Sequence, residues 1–105
     1  MGNPWFLLAV AGVLEAGWAV GLKYSEGFTK PWPSAATVIG ALASFYLLSL
    51  AMKDIPVGTA YAVWVGIGSV GTAILAVFLF GEAVTVMRVA GLVLILAGVA
   101  ALKFA

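Results

Sequence analysis

Residues 4–22 read PWFLLAVAGVLEAGWAVGL, and Glu15 is the only charged side chain among them. About 20 mostly apolar residues are enough to cross a bilayer as a helix, so this stretch predicts a membrane span. A carboxylate in hydrocarbon costs several kcal/mol, which makes an acid inside a span a candidate functional group. Glu15 therefore predicts binding of a cation, of a proton, or of the two in competition.

The composition indicates an integral membrane protein. The chain has 105 residues, of which 65% are hydrophobic and 9% are charged, whereas a soluble domain averages about 25% charged residues. A soluble enzyme is therefore excluded. There is no Cys and no His, so thiolate chemistry and the commonest metal ligand are both missing, and we expect no metal and no cofactor. A net charge of +1 gives no basic surface for nucleic acid. The start carries no basic side chain, so we expect a retained span and not a signal peptide.

Charges and turn residues divide the chain into four apolar segments. The breaks fall at residues 24–33 (YSEGFTKPWP), at residues 53–56 (KDIP) and at Gly81-Glu82. Continuous apolar runs favour helices, since backbone polar groups in lipid must be paired internally. We predict an all-α membrane protein, with residues 1–105 forming a single four-helix transmembrane domain whose spans cover about 4–22, 34–52, 57–80 and 85–102.

The size and the charge distribution predict a dimer. Four short helices leave little interior in which to enclose Glu15, a water-accessible path and a ligand. The basic groups are balanced between the two sides, so the rule that Lys and Arg orient a membrane protein gives no preferred orientation. We therefore expect insertion in both orientations and an antiparallel homodimer. The groups opposite the termini are Lys23, Lys30 and Arg88, and those on the side of the termini are Lys53, Lys103 and the amino terminus.

Aromatic and polar residues accompany Glu15 inside the predicted spans. Gly12 and Trp18 lie three residues before and after Glu15, on the same helical face. A tryptophan face attracts cations, so Trp18 is a candidate wall of a cation site, with an interfacial anchor as the alternative. Ser44 lies in the middle of the second span, where a hydroxyl either reaches the site, bonds to its own backbone or bridges helices. Tyr61 and Trp64 share a face of the third span, either as pocket walls or as packing between helices.

Glycines in the last two spans have structural interpretations. Residues 66–71 spell G-x-G-x-x-G, but a dinucleotide fingerprint must follow a strand and open a helix, and here the motif lies inside a span. We interpret Gly66 and Gly68 as a hinge, with close helix packing as the alternative. Gly91 and Gly98 lie seven residues apart on one stripe and predict a dimer contact. Glu26 and Glu82 are expected to be solvated loop charges.

The chain resembles the small multidrug resistance transporters over essentially its full length. The resemblance rests on four short spans, on Glu15 inside the first of them, and on residues 23–30 (KYSEGFTK) and 55–64 (IPVGTAYAVW). Within that family it is most similar to the guanidinium exporter subtype. The matching features are residues 15–23 (EAGWAVGLK), in which a Trp follows the Glu by three, residues 51–53 (AMK), and residues 65–71 (VGIGSVG). Val65 departs from the Thr that guanidinium exporters tend to have.

The resemblance implies a function. An antiparallel homodimer in the bacterial cytoplasmic membrane would export guanidinium and substituted guanidines in exchange for protons. Glu15 would be the carboxylate for which proton and substrate compete, and the residues around it would be Trp18, Ser44, Tyr61, Trp64 and Gly12. Two alternatives stay open: a broad exporter of quaternary ammonium and aromatic cations, which Trp18 disfavours by narrowing the site, and an uncoupled pore or membrane interaction protein.

Overall fold

Four long apolar helices make up the fold. The computed structural model describes residues 3–105, and within that range the helices are α1 (Pro4–Tyr24), α2 (Pro31–Ala51), α3 (Val57–Phe80) and α4 (Val86–Lys103). Each is long and apolar enough to cross a membrane. The predicted all-α architecture of four apolar helices is confirmed for the described residues.

The helix ends follow from local capping chemistry. The Asn3 side chain accepts a hydrogen bond from the Trp5 N–H at 2.8 Å, and the Thr85 hydroxyl accepts one from the Arg88 N–H at 3.1 Å. Helix α2 begins at Pro31, three residues before the predicted start, because prolines fit a first helical turn whose N–H groups have no intrahelical partner. The α2 start shows that Pro31-Trp32-Pro33 belongs to a helix and not to the preceding loop.

Helix α3 ends with a reversal of the chain. Gly81 has φ of +65°, the left-handed conformation that glycine adopts without a steric penalty. The N–H of Glu82 then donates to the carbonyl of Ala76 at 3.3 Å. This bond joins residues six apart, turns the chain back and holds Glu82 beside the last turn of α3.

The core lies among α1, α2 and α3. Helix α1 packs against both α2 and α3, while α4 lies against α3 alone among the described helices. Helix α4 contributes no buried residue, whereas the other three all do. Its outward face is therefore left for lipid or for another chain. The buried core consists of Leu8, Ala11, Leu48, Ala51, Ile55, Ala60, Val63 and Trp64.

Small residues allow the close helix approaches. A Cβ atom at Gly12 would lie 2.6 Å from Cγ2 and 2.7 Å from Cβ of Ile67 on α3. One at Gly21 would overlap the hydroxyl of Thr37 on α2. Since Cβ atoms are fixed to the backbone, helix α1 reaches its neighbours at this distance only because these positions lack a side chain.

We expect Gly12→Ala to destabilise the protein by about 1–3 kcal/mol, the usual cost of overpacking a close contact. The matched control is Gly17→Ala in the same helix, where an added Cβ would meet nothing within 4 Å. The control should leave stability unchanged or raise it, since alanine favours helix over glycine by about 0.5–1 kcal/mol. Unfolding by SDS titration in mixed micelles measures both. Equal stabilities of the two variants would contradict the packing described.

Candidate functional site

Glu15 lies on the side of α1 that faces α3. A Cβ atom at Gly68 would overlap the Glu15 carboxyl group, so the carboxyl occupies the space that a side chain at Gly68 would fill. The residue is partly buried, and its Oε1 atom is fully covered but has no hydrogen-bond partner within residues 3–105. A covered carboxylate oxygen without a partner is costly unless a proton or a cation neutralises it.

A groove of about 370 Å³ runs along α3 from Glu15 to the end of the helix. Its polar wall comes from α3, where the Thr72 hydroxyl donates to the Gly68 carbonyl at 2.7 Å, which leaves the hydroxyl oxygen free to accept. Glu82 also lines the groove and is therefore not only a solvated loop charge. This wall was not predicted from the sequence, although Thr72 follows Gly68 by four residues and Ser69 by three, the spacings of one helix face. The lining residues are Glu15, Ala19, Gly68, Ser69, Thr72, Ala73, Ala76 and Glu82.

Ser44 ties three helices together. Its hydroxyl donates to the carbonyl of Ala11 on α1 at 2.6 Å and accepts from the indole N–H of Trp64 on α3 at 2.9 Å. Ser44 is fully buried and Trp64 nearly so. The Ser44 hydroxyl therefore bonds to backbone one turn from Glu15, and not to the Glu15 carboxyl group.

The aromatic residues form a continuous row beside the Ser44 tie. Trp18 and Phe45 lie edge to face with ring centroids 6.1 Å apart, and Phe45 lies 5.8 Å from Trp64. Tyr61 continues the row at 5.6 Å from Trp64 and is more than half exposed. Phe45 was not predicted as a site residue, because one Phe in an apolar span carries no distinguishing signal.

Glu15 and Trp18 face different neighbours. Trp18 packs towards α2, where a Cβ at Gly40 would lie 3.2 Å from the Trp18 Cβ, while Glu15 faces α3. The indole N–H of Trp18 is covered and has no partner within the described chain. The row of rings and the carboxyl group thus flank α1 on adjacent sides.

The glycines differ in their surroundings. Gly66 and Gly68 lie within the unbroken helix α3, and a Cβ at Gly66 would lie 2.5 Å from Val99 on α4. Both positions therefore serve close packing in this structure, and the hinge stays a prediction. Gly91 and Gly98 are exposed, with nothing within 4 Å of an added Cβ. Within residues 3–105, no three Cys, His, Asp or Glu side chains lie close enough together to hold a metal ion.

The family model described as Small Multidrug Resistance protein matches residues 3–95. The chain belongs to the small multidrug resistance family. With four membrane-spanning helices, this small multidrug resistance protein is a multi-pass protein of the inner membrane.

Its relatives within the family include several guanidinium exporters. That of Yersinia pseudotuberculosis is 54% identical over 101 residues, covering 96% of this chain and 97% of the relative. That of Escherichia coli K12 is 54% identical over 99 residues, covering 94% of each chain. That of Proteus vulgaris is 50% identical over 101 residues, covering 96% of this chain and 97% of the relative.

We expect Ser44→Ala to cost about 1–3 kcal/mol of stability, because it leaves the buried Trp64 N–H without an acceptor. Combining Ser44→Ala with Trp64→Phe should cost less than the sum of the two single changes, with a coupling of at least about 0.5 kcal/mol. SDS unfolding of the four proteins in the cycle measures this coupling. Ser49→Ala is the control, since Ser49 is an exposed hydroxyl on the same helix that bonds to the Tyr46 carbonyl. Strictly additive changes in the free energy of unfolding would contradict the Ser44–Trp64 hydrogen bond.

Proposed function

We propose that this protein exports guanidinium cations across the inner membrane in exchange for protons, by alternating access. The observation that carries the proposal is the Glu15 carboxyl group, which lines the groove beside α3 and whose covered Oε1 atom has no hydrogen-bond partner within the described chain. The names of relatives at 50–54% identity support guanidinium as the cargo. The protein would accordingly be a transporter and not an enzyme.

A carboxylate suits both partners of the exchange. Guanidinium is planar and carries N–H donors around its rim, and a carboxylate accepts two of them side by side. A proton on the same group removes that acceptor and its charge. Glu15 can therefore hold a proton or a cation but not both. Exchange is coupled if the two loaded states change orientation readily and the bare anionic state does so slowly.

The neighbouring residues would shape the site. Ring faces attract cations, and the row of Trp18, Phe45, Trp64 and Tyr61 supplies several next to α1. The bond from Trp64 to Ser44 fixes the indole plane and attaches α2 to the site. Gly12 would act through the close contact with Ile67, which sets the distance between α1 and α3.

The functional unit would be an antiparallel homodimer in which each chain is a single transmembrane domain. Helix α4 exposes its apolar side chains and buries none, so a second copy is the natural cover for it. The balance of Lys and Arg between the two sides allows both orientations. Opposed copies make the inward-open and outward-open states equivalent by symmetry, as inverted repeats do in other transporters. Gly66 and Gly68 would be the hinge.

In proteoliposomes, we expect guanidinium added on one side to drive protons in the opposite direction, and Glu15→Gln to abolish this movement. Glutamine keeps the size of the side chain but neither ionises nor binds a cation by charge. An internal pH dye measures the flux. Glu26→Gln is the matched control, since it removes a carboxylate from an exposed loop.

The same assay separates the alternatives. Proton movement driven mainly by a bulky quaternary ammonium cation would indicate a broad exporter. Guanidinium leak without proton movement would indicate an uncoupled pore. Either outcome would overturn the proposed exchange.

For the dimer, we expect Gly91→Leu and Gly98→Leu each to weaken dimerisation at least about tenfold, which corresponds to about 1.4 kcal/mol. The added side chains have open space within their own chain, so the fold should persist. Counting photobleaching steps of labelled protein diluted in liposomes measures the dimer fraction. Ala100→Leu adds similar bulk at an exposed position on the opposite side of α4. Equal dimer fractions for all three variants would refute the proposed dimer contact at Gly91 and Gly98.

A further inference from the structure

The groove that contains Glu15 has a second carboxylate at its far end. Glu82 lines the same groove, and between the two acids the wall is formed by Gly68, Ser69, Thr72 and Ala76 of α3. The helix rises about 12 Å from Gly68 to Ala76, which is eight steps of about 1.5 Å. The two acids are therefore joined by a short polar path along one helix face.

Backbone geometry brings Glu82 back to the groove. A helix continuing beyond Phe80 would carry residue 82 further along the axis. The left-handed Gly81 and the bond from the Glu82 N–H to the Ala76 carbonyl reverse the chain instead. This end of α3 also receives Lys23, whose ammonium lies 4.7 Å from the centre of the Phe80 ring. The loops after α1 and α3 thus share one side of the membrane.

The Glu82 carboxylate already holds a guanidinium group, that of Arg88. The Arg88 Nη1 atom lies 3.5 Å from Glu82 Oε1 and 3.3 Å from the Ala83 carbonyl. The contact uses one nitrogen at a long distance, and the side chains are 58% and 44% exposed. An exposed ion pair of this kind contributes little to stability, so an external cation can displace the arginine.

We infer that Glu82 is a transit site for the transported cation at the mouth of the groove, and that Arg88 is a tethered competitor for it. This inference rests on the proposed function, because the Arg88 head group is a guanidinium group like the proposed cargo. An arriving guanidinium exchanges with the Arg88 head group on Glu82. It then moves past Ser69 and Thr72, whose hydroxyl oxygens accept from its N–H groups, to Glu15.

A purely structural role for the pair makes the opposite prediction. If Glu82 and Arg88 only fastened the loop between α3 and α4, removing either partner would have the same effect. If they compete as inferred, removing Glu82 slows entry of the cation, while removing Arg88 frees Glu82 and speeds entry. The sign of the Arg88 effect therefore separates the two roles.

The experiment measures association and dissociation rates of guanidinium by NMR line shapes of the tryptophan indole N–H resonances, with the whole protein in lipid bicelles. Glu82→Gln should lower the association rate constant about 3- to 10-fold at low salt, and Arg88→Gln should raise it about 2- to 5-fold, as expected for charges that steer a cation. The dissociation constant should change less than the rates, because Glu15 is intact. Both effects should shrink at about 1 M ionic strength, where the screening length falls to about 3 Å.

The chain supplies matched controls in a second exposed ion pair on the same side of the membrane. Lys30 Nζ lies 3.2 Å from Glu26 Oε2, and neither residue lines the groove. Glu26→Gln and Lys30→Gln make the same charge changes and should alter the association rate less than about twofold.

Three outcomes would overturn the inference. If Glu82→Gln and Glu26→Gln had the same association rate constant for guanidinium, Glu82 would play no part in entry of the cation. If Arg88→Gln slowed association as much as Glu82→Gln, and both lost the same stability in SDS titration, the ion pair would serve only to hold the loop between α3 and α4. Unchanged indole resonances in the parent protein on addition of guanidinium would remove the proposed function itself, and with it this inference.

Discussion

The close contact of Glu15 with the backbone of α3 is the constraint on which the rest of the structure depends. The carboxyl group lies where a side chain at Gly68 would be, so the acid can face α3 only because that position is glycine. The same approach of the two helices requires Gly12 opposite Ile67. The groove, its hydroxyl wall and the path to Glu82 all follow from this spacing between α1 and α3. The absence of a side chain at Gly68 is thus as much a part of the candidate site as the Glu15 carboxyl group.

Much of the fold could be predicted from the sequence because membrane helices are recognisable by their length and composition. Continuous apolar runs and the charges between them locate the four helices within a few residues. The start of α2 was wrong by three residues, since prolines signal a turn equally well before a helix and within its first turn. Helix ends depend on capping bonds, which composition does not reveal.

The site was less predictable than the fold, because its parts meet only in three dimensions. Glu15 stands out as the one acid in its span, and Trp18 and Trp64 stand out by type. Ser69 and Thr72 carry no distinguishing signal in the sequence, and only the structure shows that both line the groove. Glu82 looks like an ordinary loop charge because the chain reversal at Gly81 is a property of backbone dihedrals. The sequence likewise left the partner of Ser44 open, and in the structure it is the Ala11 carbonyl together with the Trp64 indole.

Helix α4 contributes nothing to the buried core, and this division has a consequence for how such chains diverge. The residues that hold Glu15 belong to α1, α2 and α3, while the outward residues of α4 meet only what lies outside the chain. Substitutions on that outer surface can accumulate without repacking the groove. In the proposed dimer, the partner would then be selected by α4 and the cargo by α1, α2 and α3, so a duplicated gene could change the first without changing the second.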